Sequence, residues 1–321
     1  MQIISKYYYR ELPKAKQASC IGTLFAYIIH LWAHNPVCVG ASLLIKQSER
    51  TRIMDFTKVK YAVDERVAII SMDSPANMNA FDEVMIDDLV AAIGMADADA
   101  NVKAIIINST NTNAFSAGGD VKAMYDGLMN NAKDVFVAEF GKSIAKMANV
   151  TKAILTSPKP VVGAVQGACA GAGIGVALAC DYTMATQASV FMTAFSKLGL
   201  VPDAGGIYLL TRAVGLKKAT ELAMDGGQMV FADDAKALGM INEVIEDDDA
   251  FADAVLKKAK KFTYGPSASY KYIKELVWES EFNGFDAYVK REVDAQMACG
   301  ATDDFKEGVG GFVEKRRPSF K

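Results

Sequence analysis

Histidine is almost missing from this chain. Of 321 residues only His30 and His34 are histidine, and none follows. Over residues 54–321 that absence excludes a Ser-His-Asp triad, a Cys-His pair and histidine-ligated zinc. Acid–base work there falls to carboxylates, lysine, tyrosine or the backbone. The two histidines stand at a spacing that can hold a metal on one helix face. No acidic residue lies between Gln17 and Ile45 to complete such a site, so no metal is expected. Cysteine is sparse and scattered: Cys20, Cys38, Cys169, Cys180 and Cys299 are odd in number. They match neither a disulfide framework nor a zinc spacing, which points to reduced thiols and a cytoplasmic protein. Charge of one sign is lacking too. A net charge of -3, with no lysine-arginine cluster on a binding motif, gives no reason to expect a nucleic-acid partner. What remains, 51% hydrophobic and 23% charged, is the balance of an ordinary globular protein with a sizeable core.

The first part of the chain differs from the rest. No charged side chain occurs from Gln17 to Ile45, and "CIGTLFAYIIHLWA" follows the basic Arg10, Lys14 and Lys16. A targeting segment or membrane anchor is one reading. Asn35 and Pro36 interrupt the run, whose apolar part is shorter than the ~20 residues of a spanning helix. The favoured reading takes Met54 as the start of the folded protein and residues 1–53 as an extension outside it.

From Met54 the pattern alternates. "VAIISM", "VKAIIINS", "SPKPVVGAV", "YTMAT" and "SVFMT" read as strands. "NAFDEVMIDDLVAAIGMADAD", "VKAMYDGLM", "FGKSIAKMANVTKAIL" and "GGIYLLTRAVG" read as helices. The alternation predicts an α/β architecture with parallel pairing over residues 54–252. After about Asp253 the strands stop, so 253–321 is expected to form a helical region whose apolar faces need a partner.

Two stretches use glycine heavily: "FSAGGD" at Phe115–Asp120 and "GACAGAGIGVALACD" at Gly167–Asp181. Glycine costs a helix about 1 kcal/mol against alanine, so its repeated use implies close approach to backbone. Gly171 and Gly173 begin a dinucleotide fingerprint, but Val176 occupies its sixth position, and no phosphate-binding G-x-x-x-x-G-K-[ST] occurs. Each loop follows an apolar strand and leads into a helix, where N–H groups are unpaired and meet the positive end of the helix dipole. Side by side, two such loops can aim two N–H groups at one developing oxyanion. Taken singly, either loop is also readable as a tight turn that needs a positive φ.

With "NAFDEVMIDDL", "AFSAGGDVKAM", "KPVVGAVQGACAGAGIGVALACDYTMAT", "LGLVPDAGGIYLLTRAVG" and "ADDAKALGMINEVI" in this order, the chain from Met54 onward resembles the crotonase, or enoyl-CoA hydratase/isomerase, superfamily. The resemblance implies a spiral of ββα turns, a C-terminal helical region that builds homotrimers or dimers of trimers, and acyl-CoA thioester substrates without a separate cofactor. By motif position it makes the backbone N–H groups of Gly119 and Ala172 the oxyanion hole. It runs CoA past Ala117, Gly118, Asp120 and Val121, and puts Phe312 and Lys315 of a neighbouring subunit near it. Phe312 and Lys315 are equally readable as an ordinary packed aromatic and a solvated lysine.

The two glutamates of the family's hydratases are replaced here by Gly175 and Phe195. Hydration needs a base to direct water and an acid to protonate the α-carbon, so the usual hydratase mechanism is not expected. Asp203, in "GLVPDAGG", matches the position where several isomerases of the family keep an acid. Moving a double bond needs one base, with an oxyanion hole to stabilise the intermediate enolate. The expected activity is therefore enoyl-CoA isomerisation through Asp203. Hydration or another crotonase-type reaction such as hydrolysis, by non-standard acids, and a silent CoA-binding subunit are the alternatives, and Asp126 and Glu139 are further candidate acids. Asp203 can also be read as an N-cap of the helix that follows, held ionised by its dipole. Cys169 and Cys180 read as buried thiols.

Overall fold

A computed structural model describes residues 54–321; the expected extension at residues 1–53, with its histidines and any targeting role, lies outside the described residues. Two sheets carry the chain. The larger has seven strands in the order β1-β2-β3-β4-β6-β8-β11. These are β1 (Met54–Asp55), β2 (Val59–Asp64), β3 (Val67–Met72), β4 (Ala104–Ser109), β6 (Val161–Val165), β8 (Tyr182–Thr186) and β11 (Glu243–Ile245). Pairing is parallel from β3 to β11, and antiparallel at the β1–β2–β3 edge. The smaller sheet has the order β10-β9-β7-β5, from β5 (Ala114–Ser116), β7 (Ala168–Ala170), β9 (Val190–Met192) and β10 (Val230–Phe231).

The central strands of the large sheet are apolar on both faces because helices cover both. Side chains alternate across a strand, so Ile70, Ile105, Ile107, Val161 and Val165 point into the main core. Ile69, Ile106, Val162 and Met184 point the other way, onto Phe251, Val255 and Ala259. The helix supplying those three is one of eleven α-helices among the described residues. In order they are α1 (Glu83–Ala98), α2 (Val121–Asn130), α3 (Lys133–Thr156), α4 (Ala172–Ala179), α5 (Gly206–Val214), α6 (Leu216–Met224), α7 (Ala232–Leu238), α8 (Asp248–Thr263), α9 (Ser267–Val277), α10 (Phe285–Gly300) and α11 (Asp303–Val313). Spacing of three and four residues puts Phe251, Val255 and Ala259 on one stripe of α8.

Strands end at β11, as the pattern indicates, and the helices beyond it divide. α8 closes the outer face of the large sheet. α10 lies along α3, close enough that a Cβ on Gly141 would meet Met297 Sδ at 2.5 Å and one on Gly300 would meet Phe140 at 3.0 Å. α11 joins a third cluster, in which Phe305 and Val309 pack with Phe136, Phe140 and Phe195. α9 remains exposed: Tyr272 is 60%, Ile273 54% and Leu276 64% accessible. Among the described residues no helix is long and apolar enough to cross a membrane.

Candidate functional site

The small sheet brings the two glycine loops together. β5 pairs in parallel with β7, Ala114 opposite Ala168 and Ser116 opposite Cys169. Both chains then leave the sheet toward helix N-termini, α2 after the first loop and α4 after the second. A Cβ on Gly118 would meet Ala170 O at 2.9 Å and Gly171 Cα at 3.2 Å. Gly118 and Gly171 have φ of 88° and 52°, a region costly for residues with a Cβ. The glycines are thus required by backbone-to-backbone contact between the loops.

A buried scaffold aims the first loop. Asn79, fully buried with φ of 53°, donates through Nδ2 to Ser109 Oγ at 2.7 Å and to Phe115 O at 3.2 Å. Ser116 Oγ donates to Asn79 O and accepts from Gly118 N. Gly118 O accepts from Phe81 N at 2.7 Å. Ala117, Gly118 and Gly119 are therefore held along the Met78–Phe81 segment. The amide of Gly119, the next residue, makes none of these bonds. Asp120 caps α2, its carboxylate accepting from Ala123 N at 3.0 Å, and Val121 opens that helix. In the second loop Gly171 N donates to Met192 O. Ala172 is the first residue of α4, where an N–H has no intrahelical acceptor.

The turn that carries Asp203 meets α4 at Gly175. A Cβ on Gly175 would stand 3.0 Å from Ala204 O, so the residue after Asp203 rests against α4 three positions, a rise of about 4.5 Å, along the helix from Ala172. A Cβ on Gly171 would stand 3.7 Å from Phe195 Cζ. Gly175 and Phe195 thus lie against the Ala204 and Gly171 backbone, one as bare backbone and the other as an aromatic wall.

The capping reading of Asp203 is overturned. α5 starts at Gly206, its N-cap is Gly205 with φ of 74°, and no side chain caps it. Gly206 N instead bonds to Asp203 O at 2.8 Å. Asp203 is 5% exposed. One oxygen accepts from Gln296 Nε2 at 3.1 Å, while Oδ1 is buried with no partner. The expected ionising influence of the dipole loses to burial, which pushes Asp203 up to about 7 against the lowering effect of Gln296.

A second acid, absent from the sequence reading, lies beside it. Glu292 of α10 is 4% exposed. It accepts from Gly205 N at 3.1 Å, and its Oε2 is likewise buried and unpartnered. Burial first, then repulsion from Asp203, pushes it up to about 8. Its signal in the sequence is a glutamate on the buried face of α10, in register with Phe285, Gln296 and Gly300.

The other candidates lie elsewhere. Asp126 is exposed on α2, and Glu139 is exposed and paired with Lys142 at 2.7 Å. Phe312 and Lys315 lie at and just beyond the end of α11, which packs on α2 of the same chain. Cys169 is fully buried in the main core, where burial pushes its thiol pKa upward. No cluster of metal-ligating side chains occurs among the described residues.

Comparison with known proteins bears on this site. The sequence profile described as enoyl-CoA hydratase/isomerase matches residues 62–321. A trans-2-decenoyl-[acyl-carrier-protein] isomerase of Streptococcus mutans is 38% identical over 270 residues, 83% of this chain and 99% of that one. A 1,2-epoxyphenylacetyl-CoA isomerase of Escherichia coli is 32% identical over 259 residues, 80% of this chain and 96% of that one. A solved enoyl-CoA hydratase/isomerase from Pseudoalteromonas atlantica superposes with a TM-score of 0.72 at 28% identity, covering 83% of this chain and all of that one.

Proposed function

The chain belongs to the enoyl-CoA hydratase/isomerase family, and from that premise we propose that it moves a carbon–carbon double bond within an enoyl thioester, with Asp203 as the single base. The observation that carries this reading is a buried carboxyl group with one bare oxygen, on the residue before the Ala204 carbonyl that packs on Gly175 of α4, where Gly175 and Phe195 provide no second acid. In a 3-enoyl thioester Asp203 takes a proton from the α-carbon. The electrons spread over a dienolate whose oxygen is held by the N–H groups of Gly119 and Ala172. Asp203 then returns the proton to the γ-carbon, leaving the 2-enoyl product. One proton moves and no electrons leave the substrate, so the reaction as proposed uses no redox group. The carrier would run past Ala117, Gly118, Asp120 and Val121.

The basicity of Asp203 supports the assignment, since a base whose pKa lies near the working pH is most effective. The names of two relatives, both isomerases, support it as well, while other relatives carry the name of probable enoyl-CoA hydratases. The test is product analysis after incubation with a 3-enoyl and, separately, a 2-enoyl thioester, with α-proton exchange followed in heavy water. Interconversion of the two with exchange is expected. A β-hydroxyacyl product would refute the isomerase reading, and absence of exchange would leave a thioester-binding subunit. Because the streptococcal relative is named for a carrier-protein thioester, each substrate is offered on CoA and on acyl carrier protein, and the ratio of kcat/KM identifies the carrier.

The exposed apolar residues of α9 support self-association as a trimer or a dimer of trimers. Light scattering is expected to show three or six copies, and Leu276→Asp to reduce that number.

A further inference from the structure

α10 presents a polar stripe to the turn that carries Asp203. Tyr288, Glu292 and Gln296 recur every four residues and share one face of the helix. Gln296 holds both ends of its amide on that turn: Oε1 accepts from Val201 N at 3.3 Å, and Nε2 donates to Asp203 Oδ2. Glu292 holds the next segment through Gly205 N. Between Asp203 and Glu292 two carboxyl oxygens, Oδ1 and Oε2, are buried and have no donor. A structural anchor for Gly205 needs only one acceptor, which glutamine supplies as well. A second carboxylate in a dry site is costly unless it keeps its proton.

We propose that Asp203 and Glu292 form a carboxyl dyad that carries one negative charge during turnover, with Glu292 a positioning residue that keeps its proton so that Asp203 is the ionised member. The proposal rests on the reading of Asp203 as the base, yet part of its test does not depend on activity. While Glu292 is neutral, Asp203 can accept the substrate's α-proton and release it at the γ-carbon. Once Glu292 ionises, a second negative charge faces the site where the enolate develops, and Asp203 holds the captured proton too tightly to return it. The remaining groups around the pair are few. Tyr288 stands on α10 itself, its phenol pushed up by burial and by Glu292, while that phenol and the amides of Gly205 and Gly206 pull Glu292 down against its burial. Tyr208 comes from α5 and packs on Tyr288 at 5.0 Å between ring centres. On α3, Lys152 is engaged with Asp286 and Lys146 with Asp87, all at the surface. α4 contributes Gly175, which has no titratable group.

The experiment is an infrared titration of the full chain, following the C=O stretch of buried carboxylic acids, together with pH–rate profiles of isomerisation. Wild type is expected to show a carboxylic acid band that persists above pH 7, where Asp203 has largely ionised, and that Glu292→Gln removes. In Asp203→Asn the charge beside Glu292 is gone, and the midpoint of that band should fall by about one pH unit or more. In the rate profile, wild type should decline on the alkaline side as Glu292 loses its proton. Glu292→Gln should abolish that decline, and Glu292→Asp should restore it. A band that titrates at the same midpoint in Asp203→Asn would overturn the dyad. So would rate profiles that superimpose in wild type and Glu292→Gln, the result of a purely structural anchor. A midpoint that falls in an Asp203→Asn protein that still isomerises would uphold the coupling of the two acids and reject Asp203 as the base, so the two readings fail separately.

Discussion

In the seven-stranded sheet five strands have five or six residues, whereas no strand of the four-stranded sheet exceeds three. The long strands bury branched apolar side chains on both faces, and each residue adds to stability through the area it removes from water. The short strands contribute little area. Their product is a position: β5 and β7 set two helix entries side by side, closely enough that glycine is required in both. One region is built of side chains and tolerates exchange of like for like. The other is built of backbone, and Asp203, the base proposed to act beside it, is held from outside by α10. Damage to the first should therefore appear as lost stability, and damage to the second as lost turnover by a folded protein.

The largest expected effect is that of Asp203→Asn. Removing a general base costs about 10²–10⁴-fold, so this variant should fold and bind thioester yet lose isomerisation and α-proton exchange by that factor. Isomerisation close to wild type would end the assignment. Next comes Gly119→Pro, which deletes one N–H of the loop pair. Turnover should fall about 10²–10³-fold, with circular dichroism used to confirm a folded state, since proline also restricts φ. Unchanged turnover would remove Gly119 from the site.

The third expectation reverses the sign between the two regions. Burial raises the folded pKa of Asp203 to about 7, above its ordinary value of 3.8. The folded state therefore binds the proton more tightly than the unfolded state, and stability drains away as pH rises through about 7. Asparagine never ionises, so Asp203→Asn should be more stable than wild type at pH 8 by about 1–3 kcal/mol, with the gain vanishing near pH 4. Parallel thermal denaturation curves at all pH values would show that the carboxyl group is not strained by burial. The smallest effect belongs to the large sheet. Ile106, fully buried, should lose about 0.5–1.5 kcal/mol as valine, read by denaturant titration, with turnover per folded molecule unchanged.

The same division governs what could be read in the sequence. β3, β4, β6 and β8 announce themselves as apolar runs, and α1, α2 and α5 by period and by turn residues. β5 and β7 do not, because three residues such as Ala168–Ala170 are too few to show a period of two. "TNTNAFSAGGD" therefore reads as one turn although Ala114–Ser116 within it is a strand. "DAVLKKAKKFTYGPSASYKYIKELVWE" reads as helical and is, but the chain breaks at Gly265–Pro266 into α8 and α9. Asp203 was legible through its motif, whereas its state was not. The dipole argument applies to an exposed cap, and this carboxyl is instead buried beneath a helix that lies some ninety residues further along the chain, with Gln296 93 positions away. Glu292 is hidden in the sequence for the same reason. In "FDAYVKREVDAQMAC" it is one charge among several, and only the buried face of the folded helix marks it out.

Ala204 and Gly205 both adopt left-handed backbone, with φ of 58° and 74°, and an alanine in that region costs energy that its surroundings must supply. Here the supply comes from Gln296 and Glu292. During synthesis the glycine loops and the strands that join them emerge from the ribosome long before α10 does. A nascent chain that ends ahead of residue 285 has both glycine loops but lacks the Gln296 and Glu292 contacts that hold the Asp203 turn. If Asp203 is the base, chemical competence comes late in the life of each molecule, once the helix bearing the polar stripe has docked on α3.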